Sequence, residues 1–149
     1  HVQNYMVEIG GEIRAKGKNA ENKAWQIAIE KPNNTGERAV QEVIGLNNMA
    51  MATSGDYRIY FEENSQRFAH EIDPKTGYPI QHHLASITVL APSSMTADGL
   101  STGLFVLGED KALEVAEKEN IPVYLIMKTE QGFETKMSSA FQKLLANKE

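Results

Sequence analysis

Tyr5, Val7 and Ile9 alternate with Met6 and Glu8, the run stops at Gly10-Gly11, and a second short run follows over Glu12 to Ala15. Period-two apolarity around a Gly-Gly turn predicts a β-hairpin. A third strand is predicted over Trp25 to Ile29, after the polar loop Lys16 to Lys23. Two more are predicted over Gln41 to Leu46 and Met49 to Thr53, parted by Asn47-Asn48. Tyr57 to Phe61 and Arg67 to Ile72 predict a further hairpin over a polar tip, and Ile87 to Leu90 is a β-rich run ended by Pro92. From Thr96 the period changes, because Leu100, Leu104 and Leu107 recur at helical spacing. Thr96 is the expected cap and Gly108 the expected stop. Lys111 to Lys118 predicts a second helix, Val123 to Met127 and Phe133 to Met137 a strand pair, and Ala140 onward a short terminal helix. Hairpins with a helix pair set between strands make the expected class α+β.

Composition narrows the possibilities. The 149 residues with 41% apolar content suffice for one domain with a core of its own. A net charge of −5, with no long run of Lys or Arg, argues against a nucleic-acid partner. With no cysteine, disulfides, thiolate metal sites and thiol catalysis are excluded. No window is long and apolar enough for a membrane span. Since the chain opens at His1, directly ahead of a strand-like run, an amino-terminal part is expected to be missing.

Candidate chemistry concentrates in two segments, His70-Glu71-Ile72-Asp73-Pro74-Lys75-Thr76-Gly77-Tyr78-Pro79 and Ala97-Asp98-Gly99-Leu100-Ser101-Thr102. On a helix Asp98 and Thr102 share a face, away from the predicted leucine stripe. A carboxylate and a hydroxyl so placed suit part of a Mg²⁺ site that substrate phosphates complete. From spacing alone the plainer reading is preferred, in which Asp98 only complements the helix dipole. His70 stands before a turn stiffened by Pro74 and released by Gly77, either as a base for an attacking hydroxyl or as a strand-end residue bonded to a neighbour. Asp73 is expected to make an Asx turn, and His82 and His83 are read as loop residues. The bend Thr53-Ser54-Gly55-Asp56-Tyr57 offers hydroxyls and backbone amides to an anion, without a full phosphate-loop pattern. Gly10-Gly11-Glu12 allows close approach of a ligand, or is a plain hairpin turn.

Five blocks in order resemble the ApbE family: Tyr5 to Glu12, Ala52 to Arg58, His70 to Pro79, Ala85 to Val89 and Ala97 to Thr102. Over residues 1–149 the chain is similar to the carboxy-terminal part of an ApbE-like flavin transferase domain, an architecture related to the T-fold. The resemblance implies a Mg²⁺-dependent FAD:protein FMN transferase, which cleaves the FAD pyrophosphate, joins FMN to a threonine of an acceptor flavoprotein such as a redox-pump subunit, and releases AMP. By the same resemblance Asp98 and Thr102 ligate the metal and His70 acts on the acceptor hydroxyl. Glu8, Gly10, Gly11, Glu12, Ser54, Gly55, Asp56 and Tyr57 then line the FAD pocket. The alternatives are hydrolysis of FAD to FMN and AMP, and an FAD-binding fragment without catalysis. The family's amino-terminal half supplies further FAD contacts and a carbonyl metal ligand. Lipid anchoring on the periplasmic side of a bacterial inner membrane is implied as well. A face left by that half is expected to favour a homo-oligomer.

Overall fold

A computed structural model describes residues 1–32, 39–56, 60–63 and 66–146. Strands β1 (Tyr5–Ile9) and β2 (Glu12–Lys16) form the predicted hairpin, with Ile9 opposite Glu12 and a two-residue Gly10-Gly11 loop. Both glycines have positive φ, +68° and +110°, which is what so short a hairpin loop demands. β3 (Trp25–Glu30) pairs with β4 (Val40–Leu46), and β6 (Tyr60–Glu63) with β7 (Gln66–Ala69), each as a separate two-stranded sheet. β5 (Met49–Gly55), β8 (Leu84–Ala91), β9 (Val123–Thr129) and β10 (Gly132–Met137) join the first hairpin in an antiparallel sheet of order β1-β2-β5-β8-β9-β10. Three helices follow among the described residues: α1 (Ser94–Leu107), α2 (Glu109–Lys118) and α3 (Ser139–Ala146).

The six-stranded sheet is covered on both faces, so β8 is buried at all eight positions, Ser86 and Thr88 included. On one face Ile13, Met51, Leu90, Tyr124 and Ile126 pack against Ile27, Ile29, Ile44 and Leu46 of the β3–β4 sheet and Phe141 of α3. On the other, Ile87, Val89, Val123 and Leu125 meet Leu104 and Phe105 of α1 and Ala112 and Ala116 of α2. Between α1 and the sheet lies a cluster of four alanines, Ala50, Ala52, Ala91 and Ala97. Methyl-sized side chains at the contact let the helix approach its strands closely.

Three expectations change. The cap of α1 is Ser93, whose hydroxyl accepts from the Thr96 amide, so Thr96 sits in the first turn. Two hydroxyl residues three apart both look like caps, and the one flanked by extended backbone takes the role. The inward stripe of α1 is Ala97, Ser101, Leu104 and Phe105, while Leu107 is 42% exposed. The hairpin predicted to end at Ile72 stops at Ala69, and Ile72 only bridges to Pro79 across the following turn. Its start at Tyr57 lies outside the described residues, as does residue 57 as a candidate pocket residue.

Candidate functional site

Strand register gathers the candidates at one end of the sheet. Ile13 pairs with Met51 and Ala15 with Met49, so the Glu12 end of β2 runs toward the Gly55 end of β5. Gly55 in turn lies opposite Ser86 of β8. The Gly10-Gly11 tip, Ser54 to Asp56 and the start of β8 therefore share one edge. α1 crosses above it: Ser54 Oγ stands 2.9 Å from Ser101 Oγ and 3.3 Å from Thr102 Oγ1. Ser101 is buried, and its hydroxyl also donates to the Asp98 carbonyl at 2.9 Å. One turn of helix thus presents Asp98 and Thr102 outward, both exposed, beside the Ser54 hydroxyl. Gly99 and Gly103 flank them with no atom within 4 Å of a virtual Cβ, leaving the backbone of that face open to a ligand.

These donors are all oxygens: one carboxylate, two nearby hydroxyls and helix backbone. Such a set fits a hard divalent cation such as Mg²⁺, which keeps waters and takes the rest of its shell from substrate phosphates. It does not fit zinc, and among the described residues no three His, Asp or Glu side chains are grouped to hold a metal unaided.

Glu8 is exposed on β1 and Glu12 partly so on β2, at the two sides of the hairpin tip. Asp56 closes β5. Its amide donates to the Ala85 carbonyl, its Oδ2 pairs with Lys128 Nζ of β9, and its buried Oδ1 has no partner among the described residues. His70 follows β7, with Nε2 3.2 Å from Glu71 Oε1. The turn beyond is tightly bonded: Asp73 Oδ1 accepts from the Lys75 amide at 2.8 Å, the Asx turn expected of it, and the Gly77 amide donates to the Asp73 carbonyl at 2.8 Å. The Ile80 amide closes its base on the Glu71 carbonyl at 3.2 Å.

Four residues not singled out as candidates from the sequence join this edge. The Glu71 side chain is only 9% exposed, and burial raises its pKa above the ordinary 4.5, with the nearby Asp56 charge adding to the rise. Its own backbone amide and the His70 charge pull the other way. Lys128 breaks the apolar run of β9 and sits where the sheet ends, against Asp56. His82, read correctly as a loop residue, is not a solvated one: it packs edge-on to Phe105 at 5.2 Å with neither ring nitrogen hydrogen-bonded. Burial lowers its pKa from 6.5. The Phe105 backbone, near the ring but outside hydrogen-bonding geometry, and the charges of Glu109 and Asp56 oppose the fall, while Lys128 reinforces it. The Glu109 side chain reaches His83 Nδ1 at 3.5 Å with one oxygen, and the other is buried without a partner among the described residues.

The ApbE family model matches residues 1–125, more than half of the sequence. The chain belongs to the ApbE family. An FAD:protein FMN transferase of Haemophilus influenzae is 82% identical over 149 residues, which are 100% of this chain and 43% of that protein. The Vibrio cholerae protein of the same name is 54% identical over 145 residues, 97% of this chain and 43% of its own length. Among solved structures, the flavin transferase ApbE from Vibrio cholerae superposes with a TM-score of 0.83 at 50% identity, over 95% of this chain and 44% of that one. The apo form of Pseudomonas stutzeri flavinyl transferase ApbE gives 0.81 at 44% identity, over 95% of this chain and 43% of that one. The α+β architecture is thus that of ApbE structures. This ApbE-family chain spans about 43% of the length of the curated relatives named here.

Proposed function

We propose that the chain works as part of an FAD:protein FMN transferase, moving FMN from FAD to a threonine hydroxyl of an acceptor flavoprotein with Mg²⁺ bound and AMP released. The observation that carries this reading is the 82% identity, across every residue, to a protein of that name. The geometry supports it. Asp98, Thr102 and the open glycine face of α1 would hold the cation, which supplies charge neutralisation for the pyrophosphate and the transferred phosphoryl group. Ser54, with Gly10 to Glu12 at the same sheet edge, would form the wall against which FAD lies. His70 is half-exposed at the neighbouring turn, where it would accept the proton of the incoming hydroxyl.

Placement on the periplasmic side of a bacterial inner membrane, through a lipid anchor, is part of the same proposal and rests on family resemblance. Among the described residues no helix is long and apolar enough to cross a membrane. The experiment is incubation of the full-length protein with FAD labelled in its flavin, an acceptor protein and Mg²⁺. Flavin that stays with the acceptor after denaturation supports transfer. Free FMN and AMP without labelled acceptor would instead establish hydrolysis.

A further inference from the structure

We propose that Glu71 is a positioning residue for the transfer step, a buried carboxylate that grips the ring of His70 and selects the nitrogen offered to the acceptor hydroxyl. This rests on the role proposed above for His70.

His70 and Glu71 follow directly on β7. They are consecutive in sequence yet unlike in burial, since the Glu71 side chain is 9% exposed and that of His70 is 44%. A glutamate in a turn has every opportunity to extend into water, and withdrawing it from solvent is costly unless it is paired. Here one oxygen, Oε1, faces His70 Nε2 at 3.2 Å, and the other is enclosed without a partner among the described residues. The backbone beneath is fixed as well, because the Glu71 carbonyl accepts from Ile80 and Ile72 bridges to Pro79. A rigid base therefore holds an inward carboxylate against one nitrogen of a half-exposed ring.

Charges beyond Glu71 complete the arrangement. Asp56 at the end of β5 is close enough to act on Glu71, and it is itself paired with Lys128 from β9. The His70 ring faces Glu71 and the Lys128 ammonium faces Asp56, two pairs set back to back with their carboxylates as neighbours.

The chemistry follows from the contact. In a neutral imidazole one nitrogen carries the hydrogen and the other the lone pair. With Nε2–H donated to Glu71, Nδ1 is the proton acceptor. The acceptor oxygen forms a bond to the FMN phosphorus, the bond from that phosphorus to the AMP oxygen breaks, and AMP leaves with the electron pair. The hydroxyl proton passes to Nδ1, and the positive charge so created lies against the Glu71 carboxylate until the proton is released to solvent.

The test uses full-length protein with Glu71→Ala, Glu71→Gln and His70→Ala. Flavin-transfer kinetics are read beside ¹⁵N NMR of labelled histidine at alkaline pH, which reports the ring tautomer directly, and thermal melting. Glu71→Ala is expected to lower kcat about ten- to a hundredfold, with KM for FAD changed less than about twofold, and to mix the His70 tautomers. Glu71→Gln keeps an oxygen at the same place and is expected to recover part of the rate. Wild-type kcat and tautomer in Glu71→Ala would overturn the proposal, as would a rate loss that follows a fall in melting temperature with the tautomer unchanged. Should Glu71→Ala fail to fold, the near-isosteric Gln variant decides by the same two readouts. Full activity in His70→Ala would overturn the reading of His70 itself, and Glu71 with it. A slow His70→Ala beside an unaltered Glu71→Ala removes Glu71 alone.

Discussion

The hydroxyl of Ser54 meets that of Ser101 at 2.9 Å, tying the end of β5 to the middle of α1. The same oxygen lies 3.3 Å from Thr102, so one small side chain sets the height of the helix over the sheet edge. Ser54→Ala removes both contacts and is expected to cost about 1 kcal/mol of stability, measured by urea unfolding. Its effect on transfer should be larger than that, because Thr102 loses its neighbour. Unfolding and turnover indistinguishable from wild type would mean that the strand end and helix are held elsewhere.

Asp98 is exposed and makes no packing contribution to the core, so Asp98→Ala should change stability by less than about 0.5 kcal/mol. In full-length protein it is nevertheless expected to abolish Mg²⁺-dependent transfer, the same outcome as chelation of the metal. Thr102→Val should be milder, since water replaces one neutral ligand more easily than a carboxylate. Full Mg²⁺-dependent activity in Asp98→Ala would remove it from the ligand set.

Much of this arrangement was legible beforehand, and the failures have identifiable causes. Gly10-Gly11 announced the first hairpin because only glycine takes both positive φ values cheaply. Periodicity found each of the strands in both flanking thirds of the chain, but not that β3 and β4 leave the main sheet, since partner choice depends on long-range contacts that no local pattern encodes. In α1 the leucines at helical spacing drew attention to Leu107, whereas Phe105 occupies the core and Leu107 borders a groove of about 490 Å³ shared with His82. Glu71 and Lys128 passed unnoticed for a related reason. A charge in a turn or at a strand end reads as solvated, and its burial or pairing comes from residues distant in sequence.

Gly108 joins α1 to α2 at φ +76° and ψ 172°, a conformation open in practice to glycine alone. An added Cβ would also stand 3.3 Å from His82 Cδ2. Gly108→Ala should therefore lower stability by about 1–3 kcal/mol and disturb the His82 ring, visible in its NMR shifts. A neutral substitution would show that the helix junction relaxes without strain.

The lowered pKa of His82 fixes the sign of a pH effect. A depressed base contributes stability that is present above the unfolded value, 6.5, and lost as pH falls through the lower folded value. The melting temperature should decline on acidification below 6.5, and His82→Leu, which keeps an apolar contact with Phe105, should flatten that decline. Parallel melting curves in the two proteins would place the acid sensitivity elsewhere.

β1 lies at the edge of the sheet with Met6, Val7 and Ile9 exposed at 43, 47 and 75%. An unpaired apolar edge is a template for pairing with another chain. The isolated 149-residue chain is expected to self-associate in light scattering and to bind FAD weakly in calorimetry, and Ile9→Lys should restore monomers. A clean wild-type monomer with tight FAD binding would show the flavin site to be self-contained.

The four alanines beneath α1 act as a gauge block. Because Ala50, Ala52, Ala91 and Ala97 are each a single methyl, every substitution there other than glycine is larger and acts in one direction, outward. One added methyl group at such a place would separate Ser54 from Thr102 while leaving every oxygen donor of the cation face chemically intact. On the proposed reading, the affinity of the α1 face for its cation would be adjustable from inside the core, by side chains that never meet the ion.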